Sequence, residues 1–328
     1  MWGLASSPMK LAFAAAVVVM ATAAADSNVG ARQLAPEWGF SSDACECKST
    51  PRPCLFIHGE KNEVEQAELQ TKSDMFGDMT DHAPCCSSIK YAALDTMNVR
   101  WTNDTLQEKV CKHALSMSET SDATAGIVKD TIVVTHSMGA LIVAGGIANK
   151  KCSFDKESTT WVSMSAPMNG TMASNYVQDI CTDDDTKAFR QILTLLGKCP
   201  VKDGMKSLAY QGGKYSTMAL NNAYLAAATA YRENVDAIMC SNDDLGIVSI
   251  DQAGYLILGS KAEFKSDEHD GFVEFESCRG GFPAEKFSTS HEDRFYVTQC
   301  NHADTAFLHG NGYFKKTLQP VKWFECLL

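Results

Sequence analysis

Thr135-His136-Ser137-Met138-Gly139 is where residue type and spacing in this 328-residue chain come nearest to chemistry. A serine hydroxyl attacks a carbonyl only when it is held out, has a base to take its proton, and faces donors aimed at the developing oxyanion. The segment overlaps residues 131–135 (TIVVT), a β-branched run expected of a buried parallel strand, and leads into residues 140–148, which read as a helix. A sharp strand-to-helix turn there would push Ser137 Oγ out at the carboxyl edge of a sheet. Gly139 is small where the two backbones must come close. Histidines that could act as the base are His291, His302 and His309. Carboxylates that could orient it include Asp243, Asp244, Asp251, Asp267, Glu268 and Asp270.

The elements that must position these residues alternate along the chain. Residues 54–58 (CLFIH) form a short apolar run stopped by Gly59, residues 89–94 a weaker one, and residues 160–164 another strand. Asp104 can cap a helix running to about Ser118, with Leu106, Val110, Ala114 and Met117 on one face. Strand signals return at residues 254–259 and 294–298. Strands separated by helices imply a mostly parallel sheet with right-handed crossovers. No good strand is found between Asn169 and Asn242. Phe189, Ile192, Leu193 and Leu196 make one helical stripe there, and Leu220, Tyr224, Ala227, Tyr231, Val235 and Ile238 a second. This predicts a helical cap inserted at about residues 169–242.

Residues 11–25 are apolar or small and end in Ala23-Ala24-Ala25 before Asp26, the pattern of a signal peptide over residues 1–25. Such a run falls short of the roughly 20 residues a bilayer span needs. Residues 26–50 read as an extended leader tied down by Cys45 or Cys47, and residues 51–328 as one large domain. The net charge of -11 excludes nucleic acid as a partner and disfavours electrostatic adhesion to anionic lipid. All 13 cysteines lie beyond residue 25, so an exported chain would hold at most six disulfides and one thiol. The Cys45-x-Cys47 pair has no second pair at zinc-finger spacing. Asn103 and Asn169 head N-x-T sequons. The expectation is a secreted monomer with no stable membrane anchor, no cofactor and no metal.

I-H-G at residues 57–59, T-H-S-M-G at 135–139, S-A-P-M-N-G-T at 165–171, D-G-F-V at 270–273 and N-H-A-D at 301–304 stand in the order these blocks take in lipases. On them the chain resembles the α/β-hydrolase superfamily, and within it the lipase/esterase branch, from about residue 52 to the end. The resemblance implies an α/β fold, a mostly parallel central sheet flanked by helices with a helical cap. It also implies a secreted serine hydrolase cleaving a small-molecule ester or lipid through an acyl-enzyme on Ser137.

The family order of serine, acid and histidine implies Asp270 and His302 as partners of Ser137, with Met138 and Glu60 lending backbone N–H groups to an oxyanion hole. His58 is implied as a structural residue under that loop. Phe189, Ile192, Leu193 and Leu196 would border the mouth and hold an acyl chain. Thr135 departs from the glycine that usually opens the elbow, and a β-branched residue is expected to crowd that turn. Asp304 resembles a calcium ligand of some bacterial lipases, without a recognisable second carboxylate. Cys278 and Cys300 flank the two loops so assigned and are expected to pair if those loops meet. The same triad would also serve a phospholipase, thioesterase or acyltransferase, and the same fold without activity an exported binding protein.

Overall fold

Residues 132–136 (IVVTH) are buried on both faces because they form the third of six parallel strands. The strands are β1 (Arg52–Ile57), β2 (Cys86–Ala92), β3 (Ile132–His136), β4 (Thr160–Met164), β5 (Ala237–Ser241) and β6 (Phe295–Thr298), in the order β2-β1-β3-β4-β5-β6. Every neighbouring pair is parallel. This computed structural model describes residues 44–182, 199–313 and 315–328. The expected signal peptide, most of the leader, and Phe189, Ile192, Leu193 and Leu196 lie outside the described residues.

The chain divides into two units, one of Met1–Asp43 with Asp179–Val201 and one of Ala44–Gln178 with Lys202–Leu328. In its described part the first carries the Cys181–Cys199 disulfide. The second carries the sheet.

Helices α1 (Asp104–Leu115), α2 (Met138–Ala148), α3 (Met172–Thr182), α4 (Met218–Asn234) and α5 (Ile250–Gly259) lie in the connections between strands, and α6 (Pro320–Glu325) follows β6. Successive strand residues point to opposite faces. Accordingly Leu55, Val133, Trp161 and Ile238 enter one core with α1, α2 and α4, while Phe56, Val134, Val162 and Met239 enter another with Trp323 and Phe324 of α6. No described helix is long and apolar enough to cross a membrane.

Four local expectations are corrected. The cap of α1 is Asn103, whose side chain accepts from Leu106 N–H; Asp104 is already inside the helix. Residues 237–241 form a central strand in a stretch expected to have none. The helical stripe Tyr224, Tyr231, Val235, Ile238 keeps its spacing past the end of α4, but Val235 is extended (φ −78°, ψ 135°) and Ile238 belongs to β5. The sheet thus resumes before residue 242, and α4 packs on α2 with Tyr224 and Tyr231 fully buried.

Residues 254–259, expected as a strand, lie in α5. Ser249 caps that helix by accepting from Gln252 N–H, and β5 instead pairs directly with β6. Short apolar runs do not separate strand from helix by periodicity.

Six disulfides form, and the free thiol is Cys300. Cys45 joins Cys326 and Cys47 joins Cys85, so the end of the leader is stapled to the C-terminus and to the segment before β2. The expected Cys278–Cys300 pairing does not occur. Cys278 ends a short helix (Phe275–Cys278) beneath the carboxyl half of β5, where it bonds Cys240 at a Cα separation of 5.8 Å.

Candidate active site

Between β3 and α2 the chain reverses within one residue, and the reversal falls on Ser137, with φ 54° and ψ −129°. An L-residue adopts that region only under strain, and the surroundings hold it there. Ser137 N–H donates to Met164 O at 2.9 Å on the neighbouring strand. Two glycines permit the turn. A Cβ at Gly139 would lie 2.5 Å from Ile57 O, and one at Gly59 would lie 2.6 Å from Ser137 Cβ. The crowding expected at Thr135 does not arise, because Thr135 belongs to β3 itself. Its hydroxyl accepts from Trp161 Nε1–H at 2.9 Å and lies away from the turn.

Ser137, His302 and Asp270 come together at the carboxyl edge of the sheet. His302 Nε2 is 3.0 Å from Ser137 Oγ, and its Nδ1 is 2.7 Å from Asp270 Oδ2. With Nδ1–H donating to the carboxylate, Nε2 is left to accept the serine proton. Asp270 Oδ1 accepts from the N–H groups of Phe272 (2.9 Å) and Val273 (2.7 Å), and His302 N–H donates to Asp270 O. Burial alone would raise the Asp270 carboxyl. The charge of His302, its hydrogen bond and the Val273 N–H outweigh burial and hold Asp270 below its ordinary value.

Three rings surround the His302 imidazole: His136 at 4.7 Å, Phe272 at 5.0 Å and Tyr255 of α5 at 6.0 Å between centroids. Thr305 Oγ1 donates to His302 O at 2.9 Å and lies 2.9 Å from Ser165 Oγ, so the residue that follows β4 braces the histidine loop. None of these neighbours carried a signal in the sequence beyond its place in a short block, and Tyr255 lay in the run read as a strand. A buried imidazole paired with a carboxylate on one nitrogen and a hydroxyl on the other is equipped to withdraw the hydroxyl proton.

The remaining candidates sit as follows. Met138 is the first residue of α2 and fully buried; Glu60 follows Gly59, whose backbone touches Ser137. His58 Nδ1 faces Gly59 O at 2.8 Å, while its Nε2 accepts from Leu94 N–H at 3.1 Å, tying the end of β1 to the residues after β2. Burial lowers its pKa. Asp267 and Glu268 are exposed, and Asp244 lies near His269. Asn103 is exposed and Asn169 half-buried.

Asp304 has no room for the calcium the resemblance suggested. Its Oδ2 accepts from Ile247 N–H (2.7 Å) and Asn301 N–H (3.0 Å), and its Oδ1 faces His309 Nδ1 at 2.7 Å. Donors, which repel a cation, occupy both oxygens. Among the described residues no group of three or more His, Cys, Asp or Glu is arranged to hold a metal.

No family model and no curated protein matches the chain. Among solved structures it is similar to the mature form of the Bacillus licheniformis lipase BlEst2, with 12% identity, 85% of this chain and 91% of that chain covered, and a TM-score of 0.48. It is also similar to the Staphylococcus hyicus lipase (12% identity, 86% and 95% covered, TM-score 0.40). EstA from Clostridium botulinum is a third (12%, 85% and 88%, TM-score 0.41). With its six parallel strands in the order β2-β1-β3-β4-β5-β6 and Ser137 at the turn between β3 and α2, the chain has the α/β-hydrolase fold.

Proposed function

We propose that this chain is an exported serine hydrolase that cleaves carboxylic esters, with Ser137 as nucleophile, His302 as base and Asp270 as the group that orients it. The observation that carries the reading is the pair of contacts on one imidazole, 3.0 Å to Ser137 Oγ and 2.7 Å to Asp270 Oδ2. The six disulfides support the extracellular half of it, because such bridges persist in oxidising compartments.

In this reading Ser137 Oγ bonds to the ester carbonyl carbon as its proton passes to His302 Nε2. The carbonyl oxygen becomes an oxyanion facing the N–H groups of Met138 and Glu60. The bond to the alcohol oxygen then breaks, and the leaving alkoxide takes the proton from His302. Water repeats the sequence on the acyl-serine, giving the carboxylic acid and free Ser137. Asp270 holds the Nδ1–H tautomer and stabilises the imidazolium in both halves. Asn103 and Asn169 are proposed to carry glycans.

A fluorophosphonate probe on the purified protein tests the assignment. Labelling mapped by mass spectrometry to Ser137, and lost in Ser137→Ala, is the expected result. A folded protein that neither takes the label nor hydrolyses short p-nitrophenyl esters is a binding protein instead.

A further inference from the structure

Ser137 is only 2% exposed, so an ester reaches its hydroxyl only if something above it moves. Beside the site lies α5, whose Tyr255 stands against the His302 ring and whose chain passes so close to Gly271 that a Cβ there would lie 2.7 Å from Tyr255 Cβ. This helix is weakly held. It has no buried residue, and Val248 and Ile250 at its start are 89% and 87% exposed. Few buried contacts mean a low cost of local opening.

What ties α5 down is polar and runs to the loop that carries His302. Asp304, fully buried two residues after His302, accepts from Asn301 N–H in its own loop and from Ile247 N–H in the segment leading into α5. His309 lies between Asp304 and the helix. Its Nδ1 is 2.7 Å from Asp304 Oδ1, and its Nε2 is 3.2 Å from Asp251 Oδ2 in the first turn of α5. The ring thus lies within ion-pair distance of a carboxylate on each side.

We propose that His309 is a positioning residue, a clasp that joins the His302 loop through Asp304 to α5 through Asp251, so that one ring anchors both the closure of α5 and the seating of the base. The proposal rests on the reading of Ser137, His302 and Asp270 as a hydrolytic site. It adds to that site an anchor shared by the covering helix and the base. With the clasp closed, Tyr255 covers the imidazole and the base is in place. With the Asp251 end released, α5 swings out while Asp304 still holds the loop. With His309 removed, both ends loosen.

Hydrogen exchange on the whole protein, read on peptides from residues 247–259 and 299–306, tests the clasp without relying on catalysis. Asp251→Ala is expected to raise exchange several-fold in residues 247–259 only, with faster fluorophosphonate labelling and kcat on a short ester within about two-fold. Asp251→Glu is expected to restore protection. His309→Ala is expected to raise exchange in both segments and to lower kcat, by up to about 10²-fold if His302 shifts by an ångström.

Unchanged exchange in both segments of His309→Ala overturns the proposal, as does Asp251→Ala loosening residues 299–306 as much as His309→Ala. Should His309→Ala not fold, the contrast of Asp251→Ala with Asp251→Glu at residues 247–259 decides. If the wild type neither hydrolyses esters nor takes the label, the hydrolase reading fails, and the exchange result still shows whether the clasp exists.

Discussion

The imidazole of His136 lies 4.7 Å from that of His302, and its Nε2 is 3.0 Å from His302 O. A carbonyl oxygen only accepts, so His136 Nε2 carries its proton and donates. Burial, with the nearby charge of His302 adding to it, pushes the His136 pKa down to about 3. The ring beside His302 is therefore neutral around pH 7 and sets no second cation against it.

That depression has a stability consequence. The unfolded chain takes up a proton at His136 near the ordinary value of about 6.5, whereas the folded chain does so only near 3. The His136 contribution is present above pH 6.5 and is lost as pH falls from there to about 3, at up to about 1.4 kcal/mol per unit. His136→Gln should show a shallower fall of melting temperature between pH 6.5 and 4 than the wild type. Parallel curves would mean that His136 is already charged in the folded state.

Glu274, 1% exposed and accepting from Met172 N–H at 3.1 Å, shifts the other way: burial pushes it up to about 7. A raised carboxyl favours folding in its protonated form. Its contribution is fully present below the unfolded value of about 4.3 and is lost as pH rises through about 7. Glu274→Gln keeps the acceptor for Met172 and cannot ionise. Relative to the wild type it should gain about 2–4 kcal/mol between pH 4 and pH 8 in urea melts. A difference independent of pH rules this out.

Replacing Asp270 by Asn would leave Oδ1 for the Phe272 and Val273 N–H groups and turn an amide N–H toward His302 Nδ1. That stabilises the tautomer with its proton on Nε2, which cannot accept from Ser137. Turnover of a short p-nitrophenyl ester should fall about 10⁴-fold with little change in KM. Ser137→Ala should fall about 10⁶-fold. If Asp267→Asn gave the large loss and Asp270→Asn did not, the acid would have to be reassigned.

Cys240 is the fourth residue of β5, which is buried throughout, and Cys278 follows Asp270 by eight residues, so their bridge anchors the chain on which Asp270 sits. The sequence separation is 38, for which the chain-entropy model gives about 4 kcal/mol. Cys240→Ala with Cys278→Ala should lower stability by about that amount and reduce kcat more than KM. A double variant with wild-type melting and turnover would show that the loop is held without the bridge. Peptide mapping should find Cys300 as the free thiol.

Local sequence determined the strand–turn–helix around Ser137. The β-branched run, the serine and Gly139 act within a few residues, and a steric requirement met by adjacent residues needs no knowledge of the rest of the chain. The cysteine count, read with an expected export, set an upper bound of six disulfides and one thiol, and six form. Only the tertiary structure decided which ones.

Cys278 joins Cys240 rather than Cys300 because the helix after the Asp270 loop passes under β5, a matter of chain crossing that spacing does not encode. The same holds for β5 and α5, misread because a helical stripe ran on by coincidence into a strand and a short apolar run served a helix. It holds most for the meeting of His302 with Asp270 and Ser137, and of His309 with Asp251 and Asp304. Periodicity reports only which face of an element is buried. Which side chains share a hydrogen bond depends on where loops from distant strands end at the carboxyl edge of the sheet, and that is settled only when the strands take their order.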